Sequence, residues 1–184
     1  MNSFRLKFSG EHIILPSSSL LTDRKSFNMS VRSFMEVFIL LICLVCLLFS
    51  FSSPYLVTKE DQEIEYSGIG QNLIYLDKKL LKNILFNLLS NAIKFAPEGK
   101  PIKIETSLIN SMVMISVADN GIGISKDDQK HLFERFFRGR NATHIQGTGL
   151  GLSIVAKYAE QMKGTITFES KEKIGTKFII YFPQ

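Results

Sequence analysis

Apolar residues recur at helical spacing between Asp77 and Pro97, with Leu80, Leu81, Ile84, Leu85, Leu88, Leu89, Ala92 and Ile93 on one broad face. Asp77 suits an N-cap and Pro97 a stop, so the pattern predicts a helix over 77–97. At about 100° per residue, Asn83, Asn87, Asn91 and Lys94 line up along one narrow polar stripe of that helix. Asparagine is a mediocre helix former, so propensity does not explain one at every fourth place. Period-two alternation predicts strands over 102–108 and 112–118 about a turn at Asn110-Ser111, and a closing hairpin over 165–170 and 177–182. Two shorter strands, 63–66 and 72–75, flank Gly68 and Gly70. A short helix is expected over 127–137, a polar loop over 138–146, and a helix over 149–162 capped by Gly164. This order predicts an α+β fold: a two-layer α/β sandwich, with a mixed sheet and about three helices on one face.

The segments before this domain differ in character. Residues 1–36 mix Ser, Phe and basic residues without clear periodicity and are expected to be poorly ordered. His12 reads as a plain surface residue there. Residues 37–51 form an uncharged run of fifteen, short of the roughly 20 that a spanning helix prefers, and Ser52-Ser53-Pro54 stops a clean extension. Residues 37–57 are therefore a candidate membrane segment, reached with help from the flanks. Residues 58–184 have the composition of an ordinary globular domain.

Composition changes this picture little. A net charge of +5 on 184 residues is too weak a bias to argue for nucleic acid. Cys43 and Cys46 are spaced C-x-x-C but sit inside the apolar run without a turn or further ligands, so they serve as small apolar fillers.

The candidate chemistry lies in the polar helix stripe and two glycine motifs. Amide oxygens ending in a cation suit a hydrated metal ion and the phosphates it carries. Asp119-Asn120-Gly121-Ile122-Gly123 stands where a buried strand ends. A carboxylate there can accept from an exocyclic amine, while glycines let backbone approach a flat ligand. Gly147-Thr148-Gly149-Leu150-Gly151 runs into a helix, where exposed amides make an anion cradle. A dinucleotide fingerprint fails because Leu152 stands where its third Gly belongs, and a P-loop fails for want of G-K-[ST]. The Ser/Thr/Tyr kinase set is also missing, with neither H-R-D nor D-F-G. Lys126, Lys130, Arg135, Arg138 and Arg140 supply a basic lid between the two motifs.

Four motifs together carry a specific resemblance. Asn87-x-x-x-Asn91-x-x-Lys94-Phe95, Asp119-x-Gly121-x-Gly123, Phe133-Glu134-Arg135-Phe136-Phe137-Arg138 and Gly147-Thr148-Gly149-Leu150-Gly151 resemble the N, G1, F and G2 boxes of sensor histidine kinases, in the family's order and spacing. The match covers about residues 60–184. It implies the Bergerat-type ATP-binding fold of the wider gyrase, chaperone and mismatch-repair superfamily, with ATP and Mg²⁺ as ligands. By that resemblance Asn91 is the Mg²⁺ ligand, with Asn87 beside it on metal or phosphate. Lys94 contacts phosphate, Phe95 packs near the nucleotide, and Asp119 accepts from the adenine amine. Gly121 and Gly123 line the base, and Gly147, Thr148, Gly149, Leu150 and Gly151 close on the phosphates. Either Arg135 or Arg138 steadies the γ-phosphate, while Phe133, Phe136 and Phe137 anchor the lid.

The resemblance has one large gap. The family's acceptor histidine sits on a helical-hairpin dimer module, followed by an acid and then a Pro, and none of His12, His131 and His144 fits. Phosphoryl transfer needs an in-line nucleophile as well as a clamp on the leaving group. The acceptor hairpin is then expected on another chain or in a missing part of the gene, with a response regulator as the indirect partner. A docking module in which nucleotide controls binding is the alternative. Hydrolysis of the gyrase or chaperone kind is disfavoured, because those relatives use a Glu where Asn87 stands. An ATP-using domain is expected in the cytoplasm, anchored to the inner membrane if 37–57 spans it. Arg24, Lys25 and Arg32 before the run, against Lys59 among four acids after it, would by the positive-inside rule place the domain outside. Either the rule fails, or the run does not span, or residues 1–57 are not the natural partner of the rest.

Overall fold

A computed structural model describes residues 5–8, 11–14, 63–69 and 75–184. The candidate membrane segment, with Cys43 and Cys46, lies outside them. Among the described residues no helix is long and apolar enough to cross a membrane.

Helix α1, Lys78–Phe95, is the predicted one. The Asp77 carboxylate accepts from the amides of Lys79 and Leu80 at 2.8 and 3.0 Å, satisfying two first-turn donors. Ala96, held extended before Pro97, ends it (φ −69°, ψ 144°). Leu81, Ile84, Leu85, Leu88, Leu89, Ala92 and Ile93 are all buried, as their spacing requires. Leu80 is half-buried at the rim.

The sheet has seven strands: β1 (Arg5–Phe8), β2 (Glu11–Ile14), β3 (Glu63–Ile69), β4 (Ile102–Ile109), β5 (Met112–Asp119), β6 (Thr165–Lys171) and β7 (Gly175–Pro183). Their order is β2-β1-β3-β4-β5-β7-β6. Pairs β1–β3 and β3–β4 are parallel and the rest antiparallel, so the sheet is mixed. The β4–β5 hairpin turns at Asn110 and Ser111, both with positive φ (51° and 58°) as a twisted two-residue turn demands. Register carries the apolar set onto one face: Ile104 opposes Val117, Val117 opposes Phe178, and Ile115 opposes Ile180. Those residues share one core with α1 and with Val155 and Ala159 of the second helix, α2 (Gly151–Gln161).

Several expectations differ from this architecture. Strands β1 and β2 join the sheet from within residues 1–36, where no regular structure is expected. Arg5–Phe8 does alternate polar and apolar, but four residues are too short a signal to stand out. Strand β3 runs on through Gly68. A Cβ there would collide with the Tyr66 hydroxyl, which hydrogen-bonds Thr106 at 2.9 Å, so this glycine makes room inside a strand. Of the second short strand, 72–74 lie outside the described residues, and Tyr75 is irregular. Two α-helices, not three, occur among the described residues. Residues 127–137 form a single 3₁₀ turn, Asp128–His131, followed by turns, and Phe136 (φ 62°) takes a left-handed conformation that no helix continues through. The left-handed residue after α2 is Lys163 (φ 57°) rather than Gly164, whose Cβ would press on the Phe182 ring at 2.6 Å.

Candidate functional site

A cavity of about 320 Å³ opens between α1, the end of β5, the 138–149 segment and the start of α2. Its α1 wall carries Asn87, Asn91 and Lys94, with Phe95 beside them, while Asn83 stands outside. The asparagines form a relay along the helix. Asn83 Nδ2 donates to the Lys79 carbonyl at 2.9 Å, and Asn87 Nδ2 to the Asn83 carbonyl at 2.8 Å. With its amino group so engaged, Asn87 turns Oδ1 toward α2, 3.0 Å from where a Cβ on Gly151 would stand. Asn91 and Lys94 make no side-chain hydrogen bond or ion pair among the described residues. Burial pushes the Lys94 ammonium below its ordinary pKa, and no carboxylate among the described residues offsets it.

The closed end is built around Asp119, the last residue of β5. Its Oδ1 accepts from the Gly121 amide at 2.8 Å. Burial pushes its pKa up to about 6, against the pull of backbone hydrogen bonds from Gly121 and Thr176. Gly121 does not line the cavity: a Cβ there would strike the Phe95 carbonyl, so its role is close packing. Gly123 does line it, in a left-handed conformation (φ 64°) pressed against Lys171. The β6–β7 hairpin fixes this loop. The Lys173 amide donates to the Ile122 carbonyl at 2.7 Å, and the Ile124 amide to Ser170 Oγ at 2.9 Å.

The opposite wall is the lid and the start of α2. Gly147, Thr148, Gly149 and Gly151 line the cavity, whereas Leu150, at the helix start, does not. No side chain caps that start, so its first amides remain available to an anion. Gly149 (φ 73°) is required twice over, since a Cβ there would also meet the Phe136 backbone at 2.6 Å. Arg138 lines the cavity but spends Nη2 on the carbonyls of Ala142, Thr143 and Ile145. Arg135 is exposed and outside the cavity. Arg140 pairs with Asp127 at 3.0 Å and with buried Asp128 at 3.4 Å, so the lid is less cationic than its composition.

The three phenylalanines part company. Phe133 anchors the lid edge-on to Phe168, with ring centroids 5.9 Å apart. Phe137 lines the cavity. Phe136 is 70% exposed and anchors nothing. Sequence patterns also miss Ser90, Ile122, Asn141 and Thr176, all on the cavity wall. Thr176 is visible only through its register opposite Asp119.

Residues 76–184 match the profile of the histidine kinase-, DNA gyrase B- and HSP90-like ATPases. The chain belongs to this family. Within it, the sensor histidine kinases are the relevant branch. Sensor protein RprX of Bacteroides fragilis is 39% identical over 115 residues, 60% of this chain and 22% of its own length. Sensor-like histidine kinase SenX3 of Mycobacterium tuberculosis is 42% identical over 135 residues, 71% of this chain and 33% of its own. Among solved structures, the catalytic domain of histidine kinase ThkA superposes with a TM-score of 0.64 at 29% identity, over 85% of this chain and 93% of that domain. The globular part is thus a histidine kinase ATP-binding catalytic domain, and the chain spans about a fifth to a third of those two relatives.

Proposed function

We propose that this domain binds ATP with Mg²⁺ and presents the γ-phosphate to a histidine that lies outside these 184 residues. The observation that carries the proposal is Lys94: a half-buried ammonium in the cavity wall, without an anionic partner among the described residues, on the same stripe as Asn87 and Asn91. A half-buried cation without a counter-ion favours an anion beside it, and the uncapped start of α2 opposite favours the same one. The residues also fit the metal. Asn87 Oδ1 is oriented by its own amino group's hydrogen bond, and Asn91 is unengaged, so two hard oxygen donors stand one helical turn apart. Mg²⁺ held there would neutralise charge on the phosphate oxygens. Lys94 would bind phosphate, Phe95 and Gly123 would flank the purine, and ionised Asp119 would accept from its amine. Gly147, Thr148, Gly149 and Gly151 would cover the phosphates. Arg138 would brace the lid over them, whereas Arg135 would have to swing inward to reach them.

Calorimetry of Mg·ATP binding tests the pocket: Asn91→Ala, Lys94→Met and Asp119→Ala should each weaken it at least about tenfold, as loss of a charge-assisted contact does. Affinity indifferent to all three would remove the proposal. We infer that the chain does not phosphorylate itself, because none of its histidines has the acceptor pattern. An acid-labile phosphohistidine on this chain after incubation with γ-labelled ATP would contradict that. Adding an acceptor-histidine hairpin from the same source discriminates further: transfer supports the kinase, and tight ATP-dependent docking without transfer supports a regulatory module.

A further inference from the structure

We propose that Asn141 is a positioning residue that hooks the lid to the loop beside the base and so presets the lid over the phosphates; the part played by phosphate rests on the ATP reading above. Asn141 lines the cavity, and its Nδ2 donates to the Gly123 carbonyl at 3.0 Å. The atom it grips does not move freely. Gly123 is pressed against Lys171, and its neighbours Ile122 and Ile124 are hydrogen-bonded to Lys173 of the β6–β7 turn and to Ser170 of β6.

The residues before Asn141 are fastened too. The Arg140 amide donates to Asp128 Oδ2 at 3.0 Å, and Asp128 is only 5% exposed. Gly139 passes so close that a Cβ would stand 3.3 Å from that same oxygen. Arg138 takes the carbonyls of Ala142 and Thr143 on the far side. Beyond these fixings the chain carries Ile145, Gln146, Gly147 and Thr148 into the cavity wall. Arg140 ties the lid to the outer segment, and Asn141 ties it to the cavity wall itself.

A lid ordered before the ligand arrives spares the ligand the cost of ordering it. Loss of the hook should therefore appear chiefly as faster release of ligands that reach under the lid. Adenosine, which carries no phosphate, should not register it.

The test compares wild type, Asn141→Ala and Asn141→Asp at pH 7.5, using Mg·ATP and adenosine as probes. Aspartate matches asparagine in shape but, ionised, only accepts, and here it would face a carbonyl oxygen. Asn141→Ala should weaken Mg·ATP about tenfold through faster dissociation, Asn141→Asp should weaken it further, and adenosine affinity and melting temperature should hold. In the unliganded protein, trypsin should cut the lid of both variants faster than that of wild type. Asn141→Asp behaving as wild type would overturn the proposal. So would ATP and adenosine affinities falling together with the melting temperature, which marks a merely structural role. If wild type binds neither probe, the ATP reading fails, and equal trypsin cutting across the three proteins then overturns the hook by itself.

Discussion

The α1 face that meets the sheet and the α1 face that meets the cavity are held by different means. Toward the sheet, Ile84, Leu85, Leu88 and Leu89 lie in continuous apolar contact with β-strand residues, and every one is essentially inaccessible. Toward the cavity, Asn91 and Lys94 make no side-chain hydrogen bond or ion pair among the described residues, and Asp119 of β5, which shares that cavity, is a half-buried carboxyl that burial disfavours ionising. One face maximises stability, and the other gives some up to keep groups ready for a ligand. The two faces of one helix should therefore respond oppositely to substitution.

The largest effect should come from the sheet side. Leu85→Ala removes a fully buried side chain and should cost about 2–5 kcal/mol in urea unfolding. A loss below about 1 kcal/mol would mean the core is loosely packed there. Asp119→Asn should act in the other direction. An aspartate pushed up to about 6 carries a destabilisation on the order of 2–3 kcal/mol once ionised. Its raised pKa means that the folded state holds the proton longer than the unfolded one. That contribution to stability is complete below the ordinary carboxylate range, falls as pH rises to about 6, and stays lost above it. Thermal melts from pH 4 to 8 should show wild type losing ground to Asp119→Asn as pH rises, while Mg·ATP binding vanishes in the variant. The same titration predicts that wild-type affinity for adenosine declines below pH 6, where the carboxyl is neutral. Flat affinity across that interval would break the link between Asp119 and the base.

Smaller effects sharpen the contrast. Gly149→Ala places a Cβ against the Phe136 backbone at a left-handed residue, and should cost about 1–3 kcal/mol with reduced ATP affinity. Lys94→Met should leave melting unchanged or slightly raised, since a half-buried ammonium with no ion pair among the described residues is exchanged for an apolar chain of similar length. A marked drop in melting temperature would show that Lys94 holds the fold together and is not kept for a ligand.

The same contrast explains what the sequence revealed. Burial of α1 and of β4, β5 and β7 was legible because period and hydrophobicity agree, and the Asn stripe was legible because period and propensity conflict. Asn91, Lys94, Asp119 and Gly123 followed from motifs placed at element ends. Residues whose position depends on long-range backbone contacts were not legible. Gly121 and Gly164 pack against distant groups, and Phe136 is turned outward by its own backbone. Thr176 reaches Asp119 only through strand register, and Asn141 reaches Gly123 across 18 positions. Arg138 is aimed at lid carbonyls by a geometry that no spacing encodes.

Strand β7 sits between β5 and β6, so β6 has no neighbour in the sheet until β7 is in place. Strand β6 and the turn joining it to β7, the support on which Ile122 and Gly123 rest, can be placed only once β7 has joined β5. Closing the sheet and completing the binding pocket are consequently one cooperative event. A partly assembled domain would have no weakened affinity for ligand to titrate, and appearance of nucleotide binding would serve as a clock for the final folding step.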